Sequence, residues 1–146
     1  MDRVIKRTTI VVAALAMLGG VACSSSSSSS SSAGSSGGGV SATEMDFSIT
    51  LSSSTGTAGP VTFNITNQGP STHEFVVIQT DDAPDALSVK NGTVDESGLT
   101  IVDENEAVVP GTTVPLSVNL KAGSYVIICN VSGHYQSGMH TGFTVS

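Results

Sequence analysis

Residues 124–145 read SYVIICNVSGHYQSGMHTGFTV. The dense run Tyr125, Val126, Ile127 and Ile128 has the β-branched and aromatic character of a strand, and Phe143 and Val145 alternate with polar neighbours near the end of the chain. Between these two predicted strands lie Cys129, His134 and Met139, in a connection punctuated by Gly133 and Gly138. Working outward, the same period of two recurs. Met45, Phe47, Ile49 and Leu51 alternate with Asp46, Ser48 and Thr50 across residues 44–51, and Val61, Phe63 and Ile65 across 61–67. Residues 73–79 form a denser run, and Val114, Leu116, Val118 and Leu120 alternate across 114–120. Turn signals separate them: Ala58-Gly59-Pro60, Gln68-Gly69-Pro70, Asn91-Gly92, Pro110-Gly111 and Ala122-Gly123. Helix signals are sparse, Pro84-Asp85-Ala86-Leu87 opening one short turn at most. The expectation is an all-β Greek-key β-sandwich of about six to eight strands.

The connection after Ile128 carries chemistry. It holds a thiolate, an imidazole and a thioether between two strands, which limits their mobility. Soft sulfur donors suit Cu(I) and imidazole suits Cu(II) as well, and electron-shuttling copper sites combine two His and one Cys with a weak axial thioether. A second imidazole has to come from another strand, and His73 stands at the start of one, just beyond Gln68-Gly69-Pro70. Each residue alone has a plainer reading, Met139 as core and His73 as a turn residue. Four together, in this order, argue for one copper ion. His140, next to Met139, is expected at the surface.

The pattern Cys129-x4-His134-x4-Met139 with His73 upstream resembles the cupredoxins, or blue copper proteins, and its loop spacing is most similar to the sulfocyanin and rusticyanin type. Asn67-x-Gly69-x3-His73-Glu74-Phe75, Pro110-Gly111 and Leu120-x-x-Gly123-x-Tyr125 extend the resemblance over nearly all of residues 44–146. It implies His73, Cys129 and His134 as equatorial ligands and Met139 as the axial one. It also implies His134 as the electron port, near the surface within an apolar patch. One departure is Glu74, where many members have an Asn-like residue after the first histidine; an ionised carboxylate cannot donate the amide hydrogen bond. A ligand role for Glu74 is disfavoured, because neighbours in a strand face opposite ways.

The first forty residues differ in kind. Arg3, Lys6 and Arg7 precede an apolar run from Ile10 to Leu18, then Gly19-Gly20-Val21-Ala22-Cys23. This reads as an export signal over 1–22, since a membrane span needs roughly 20 apolar residues. Val21-Ala22-Cys23 resembles the lipobox of bacterial lipoproteins, with Gly20 where an aliphatic residue is preferred, and implies a lipid on Cys23; the alternative is ordinary signal-peptidase cleavage after Ala22, which the small Gly20 suits. Attached acyl chains contribute about 0.8 kcal/mol per buried methylene. Residues 23–40, nearly all Ser and Gly, are expected to form a flexible tether reaching roughly 20–25 Å, and 41–146 the copper domain. With Cys23 lipidated, Cys129 is a lone thiol outside the cytoplasm, which invites an explanation; a buried inert thiol is the plainer one, and the neighbours of Cys129 argue for a ligand instead.

After residue 22 only Lys90 and Lys121 are basic, against eleven acidic residues, so the mature formal charge is −9. Nucleic-acid binding is disfavoured. Eight of those acids fall within 81–106, as a solvated loop face or as a patch steering a basic redox partner. The function expected is single-electron transfer between extracytoplasmic redox partners by a membrane-tethered protein, with no small-molecule substrate. The alternative is a copper-handling protein that acquires or delivers the ion. An oxidase or nitrite reductase would need further copper ligands, and only His140 remains among the histidines.

Overall fold

Alternating apolar residues need a second apolar surface to bury against, and here two sheets supply one another. The computed structural model describes residues 39–146; the expected signal over 1–22, Cys23 and the tether as far as residue 38 lie outside them. The strands run in the order β1 (Gly39–Met45), β2 (Ser48–Leu51), β3 (Thr55–Gly56), β4 (Gly59–Asn67), β5 (His73–Gln79), β6 (Val89–Lys90), β7 (Thr93–Val94), β8 (Thr100–Val108), β9 (Thr113–Leu120), β10 (Gly123–Ile128) and β11 (His140–Val145). One sheet has the order β2-β1-β4-β9 and the facing sheet β3-β11-β10-β5-β8, with β6-β7 as a separate hairpin. Most pairs are antiparallel, while β1 lies parallel to β4 and β3 parallel to β11. The all-β sandwich is as expected, and β1 begins at Gly39, ahead of the Ser41 taken as the domain start.

Phe63 of the first sheet fills the centre, its ring 5.5 Å from Phe75 and 5.4 Å from Phe143 of the second. Val61, Ile65, Leu116, Val118 and Leu120 alternate inward around it. The dense runs have a separate cause. β5 and β10 are buried on both faces: Phe75, Val77, Tyr125 and Ile127 face the sandwich core, while Val76, Ile78, Val126 and Ile128 pack outward under Leu87, Val94 and Tyr135. The acidic segment is therefore not only a solvated face, since Leu87 and Val94 anchor it over the second sheet. Its turn at Pro84-Asp85 is closed by the Ala86 N–H donating to the Ala83 carbonyl, without a helix. Asn91 and Gly92, both at positive φ (55° and 91°), make the β6–β7 hairpin turn.

Two strand expectations change. The alternation over 44–51 is not one strand but the end of β1, a turn at Asp46-Phe47, and β2. Its inward phase in β1 belongs to Val40, Ala42 and Glu44, so Met45 and Phe47 are 47% and 46% exposed while Ile49 points in. The stretch 100–108, expected as part of an acidic loop, is the edge strand β8 paired with β5. Edge strands tolerate charge on the open side, which hides them from a search for alternation.

Direction along the strands fixes two poles. β1 runs from Gly39 toward Asp46, and β11 runs from His140, beside Met139, to Val145. Gly39 and Ser146 line one shallow hollow together with Ser53 and Thr55.

Candidate metal centre

His73 opens β5, and the preceding turn holds it there. Asn67 is fully buried and satisfied: its Nδ2 donates to the carbonyls of Ser71 and Val108 (2.7 Å each), and its Oδ1 accepts from the Gly69 N–H at 2.9 Å. A register shift between His73 and Phe75 bulges β5 against β8 at Glu74. The Glu74 N–H is thereby turned to donate to Sγ of Cys129, 3.3 Å away. Glu74, whose influence on the site is open in the sequence, enters through its backbone.

Cys129 follows the last residue of β10, and the loop to Met139 is cinched at its neck. The Cys129 N–H donates to the Met139 carbonyl (3.0 Å) and the Met139 N–H to the His134 carbonyl (3.1 Å). Inside the loop a 3-10 turn, Tyr135–Ser137, follows His134 directly. The Tyr135 hydroxyl donates to the Pro84 carbonyl at 2.8 Å and accepts from the Leu87 N–H at 2.9 Å. Asn130 accepts from the Val94 N–H at 2.6 Å and donates to Glu96 at 2.7 Å. Both side chains fasten the loop to the segment covering the second sheet.

These constraints bring Cys129 Sγ within 3.5 Å of His134 Nδ1 and 3.8 Å of His73 Nδ1, with the two Nδ1 atoms 3.2 Å apart. The three donor atoms all lie within 4.8 Å of one another. His73, Cys129 and Met139 are fully buried; His134 is partly exposed. Met139 is buried in the same core cluster as Cys129. Burial pushes the Cys129 thiol up to about 11, opposed in part by the N–H groups of Glu74 and Val131. Burial likewise lowers His73, leaving a neutral imidazole able to ligate. One thiol that resists ionisation, beside two imidazoles, fits a soft cation that would supply the missing positive charge.

Three side chains, Asp46, Phe47 and Glu44, were not visible as site residues in the sequence, whereas Tyr135 was expected beside His134. Asp46 Oδ1 lies 3.0 Å from Nε2 of His73. The ring N–H is not aimed squarely at that oxygen, so the contact sets a carboxylate against the polar edge of a neutral ring without a well-formed hydrogen bond. Asp46 is lowered, first by the Ser71 hydroxyl that donates to Oδ2 at 2.5 Å and further by His73. Phe47 meets His134 edge-on, ring centres 5.0 Å apart. Tyr135 secures the loop as described. Glu44 points into the core with both carboxyl oxygens unpartnered, and burial raises it to about 8. His140, expected at the surface, is half-buried with its ring 5.1 Å from that of Tyr135.

Known proteins share this architecture. The sulfocyanin (SoxE) domain family matches residues 21–146. Rusticyanin from Thiobacillus ferrooxidans superposes with a TM-score of 0.58 at 20% identity, covering 77% of this chain and 79% of rusticyanin. Auracyanin from Roseiflexus castenholzii gives 0.53 at 18% identity, covering 77% and 98%. Auracyanin A from Chloroflexus aurantiacus, described as a "blue" copper protein, gives 0.52 at 20% identity, covering 75% and 100%. No curated protein sequence matches. At such identities the structures speak for the fold, while the family match spans most of the chain. The chain belongs to the sulfocyanin family of cupredoxins, the blue copper electron-transfer proteins, whose type 1 copper site it carries in His73, Cys129, His134 and Met139.

Proposed function

We propose that this protein carries single electrons between extracytoplasmic redox partners while tethered to a membrane through Cys23. The observation that carries the redox part is the convergence of His73 Nδ1, His134 Nδ1 and Cys129 Sγ within 4.8 Å. Copper bound there would supply the one-electron couple. His73 opens β5 and Cys129 directly follows its paired neighbour β10, and Met139 lies in the same loop as His134, tied by its backbone to both Cys129 and His134. A rigid donor set limits the rearrangement accompanying each electron. Full burial of His73, Cys129 and Met139 argues against a copper-delivery role, which calls for accessible, exchangeable ligands.

Of the three equatorial ligands His134 alone reaches solvent, and exposed Phe47, edge-on against its ring, supports a docking collar there. Acidic residues on and near β8 would favour a partner with a basic rim. The anchor reading rests on the lipobox-like Val21-Ala22-Cys23.

The deciding experiment is visible spectroscopy of the copper-loaded protein. An intense band lost in Cys129→Ser supports the site, and a band that persists in that variant sinks it. Copper that leaves readily to a strong chelator would favour copper handling instead. Mass measurement of membrane-extracted protein tests the lipid, which Cys23→Ala should abolish.

A further inference from the structure

The imidazole of His73 has two nitrogens with different surroundings. Nδ1 converges with Cys129 and His134, whereas Nε2 faces Oδ1 of Asp46 at 3.0 Å. A carboxylate is an acceptor only, so it favours the proton on Nε2 and leaves the Nδ1 lone pair facing the other donors. Asp46 is itself held, Oδ2 accepting from the Ser71 hydroxyl at 2.5 Å. Among the described residues no lysine lies within ion-pair distance of it, and its contact of that kind is with the His73 ring.

The turn before β5 leaves space for this contact. A Cβ on Gly69 would stand 2.5 Å from Asp46 Oδ1 and 3.0 Å from His73 Nε2. Glycine is needed here for close approach. Asp46 comes from the β1–β2 turn of the first sheet and His73 from the second sheet, so the pair also ties the two sheets together at the site.

We infer that Asp46 is a positioning residue for the metal centre, fixing His73 as its Nε2–H tautomer and lending the ring negative charge that favours the oxidised copper. This rests on the copper reading of the site. A group that polarises the free N–H of a ligating histidine makes it a stronger donor, and a nearby anion stabilises the more highly charged metal state. Removing the charge while keeping the shape then shifts the couple toward the reduced form.

Two measurements test the inference independently. In metal-free protein, nitrogen NMR should show His73 as the Nε2–H tautomer in the wild type and in Asp46→Asn, which keeps an acceptor oxygen, and as a mixture in Asp46→Leu. An unchanged tautomer in Asp46→Leu overturns the positioning role whether or not copper binds. In copper-loaded protein poised at the wild-type midpoint, Asp46→Asn should move the reduced-to-oxidised ratio about tenfold toward reduced, or about 59 mV for one electron. A ratio within twofold of the wild type, with the visible band retained, overturns the charge effect. Gly69→Ala, which wedges the pair apart, should move the ratio in the same direction. Failure of the copper reading shows separately, as no intense band in the wild type, and the tautomer measurement then decides the inference.

Discussion

The backbone N–H of Glu74 donates to Sγ of Cys129 across 3.3 Å, while the Glu74 side chain lies partly exposed toward Glu104, Glu96 and Glu106. The bond comes from the main chain at a bulge in β5, so side-chain replacement should leave it in place. Glu74→Gln is expected to keep the intensity and position of the visible band. A bleached or strongly shifted band would mean that the carboxylate itself reaches the metal.

In copper-free protein Cys129 should be a sluggish thiol. It is fully buried and pushed up to about 11, so at pH 8 the thiolate fraction is about one in a thousand. Reaction with a colorimetric disulfide reagent should be slower than in the unfolded chain by roughly a hundredfold or more, from the low thiolate fraction and the burial together. Equal rates would show that the apo loop opens freely.

Glu44 makes apo stability depend on pH. Its carboxyl is raised from 4.5 to about 8 by burial, so the folded state holds the proton more tightly than the unfolded one. Its contribution is therefore whole below pH 4.5 and is lost as the pH rises through 8. Glu44→Gln should match the wild type near pH 4 and exceed it increasingly up to pH 8. The gap should reach a few kcal/mol, at about 1.4 kcal/mol for each pH unit crossed between those two values. Chemical denaturation at several pH values measures the difference. A gap that does not widen with pH would show that Glu44 finds a partner or water.

Tyr135→Phe removes one hydroxyl that serves both the Leu87 N–H and the Pro84 carbonyl. Two backbone groups lose their partner beneath the acidic segment, at a cost of about 1–3 kcal/mol. The ligand loop is less firmly held, so copper should also leave faster to a chelator. A destabilised variant with an unchanged copper off-rate would separate the loop's anchorage from its grip on the metal.

Phe63→Ala should cost about 3–5 kcal/mol, because this ring fills the space between Phe75 and Phe143 where the sheets meet. A loss below about 1 kcal/mol in a denaturation experiment would mean the sheets collapse around the cavity.

The ligand loop was legible in the sequence because its three donors lie within eleven residues, bounded by strands of clear composition. Residues 61–67 and 114–120 were equally plain, each having one wet face and one dry face. The phase of β1 was not. Met45, Phe47, Ile49 and Leu51 keep perfect alternation through a turn that reverses direction, and the apolar pair Met45 and Phe47 outweighs the short inward run Val40, Ala42 and Glu44. Asp46 was hidden for a different reason. Its partner His73 is distant in sequence and on the other sheet, and only closure of the sandwich joins them.

The two poles described for the sandwich bear on how an attached protein could work. β1 enters at Gly39 and needs its seven residues, roughly 20 Å at a strand's rise, to reach the turn carrying Asp46 and Phe47. Ser146 ends beside Gly39, so both ends of the described chain leave from the same pole. A leash joined upstream of Gly39 would therefore pull on the end remote from His134. With the anchoring and docking proposed above, partner exchange at His134 would then not require the anchor to be released.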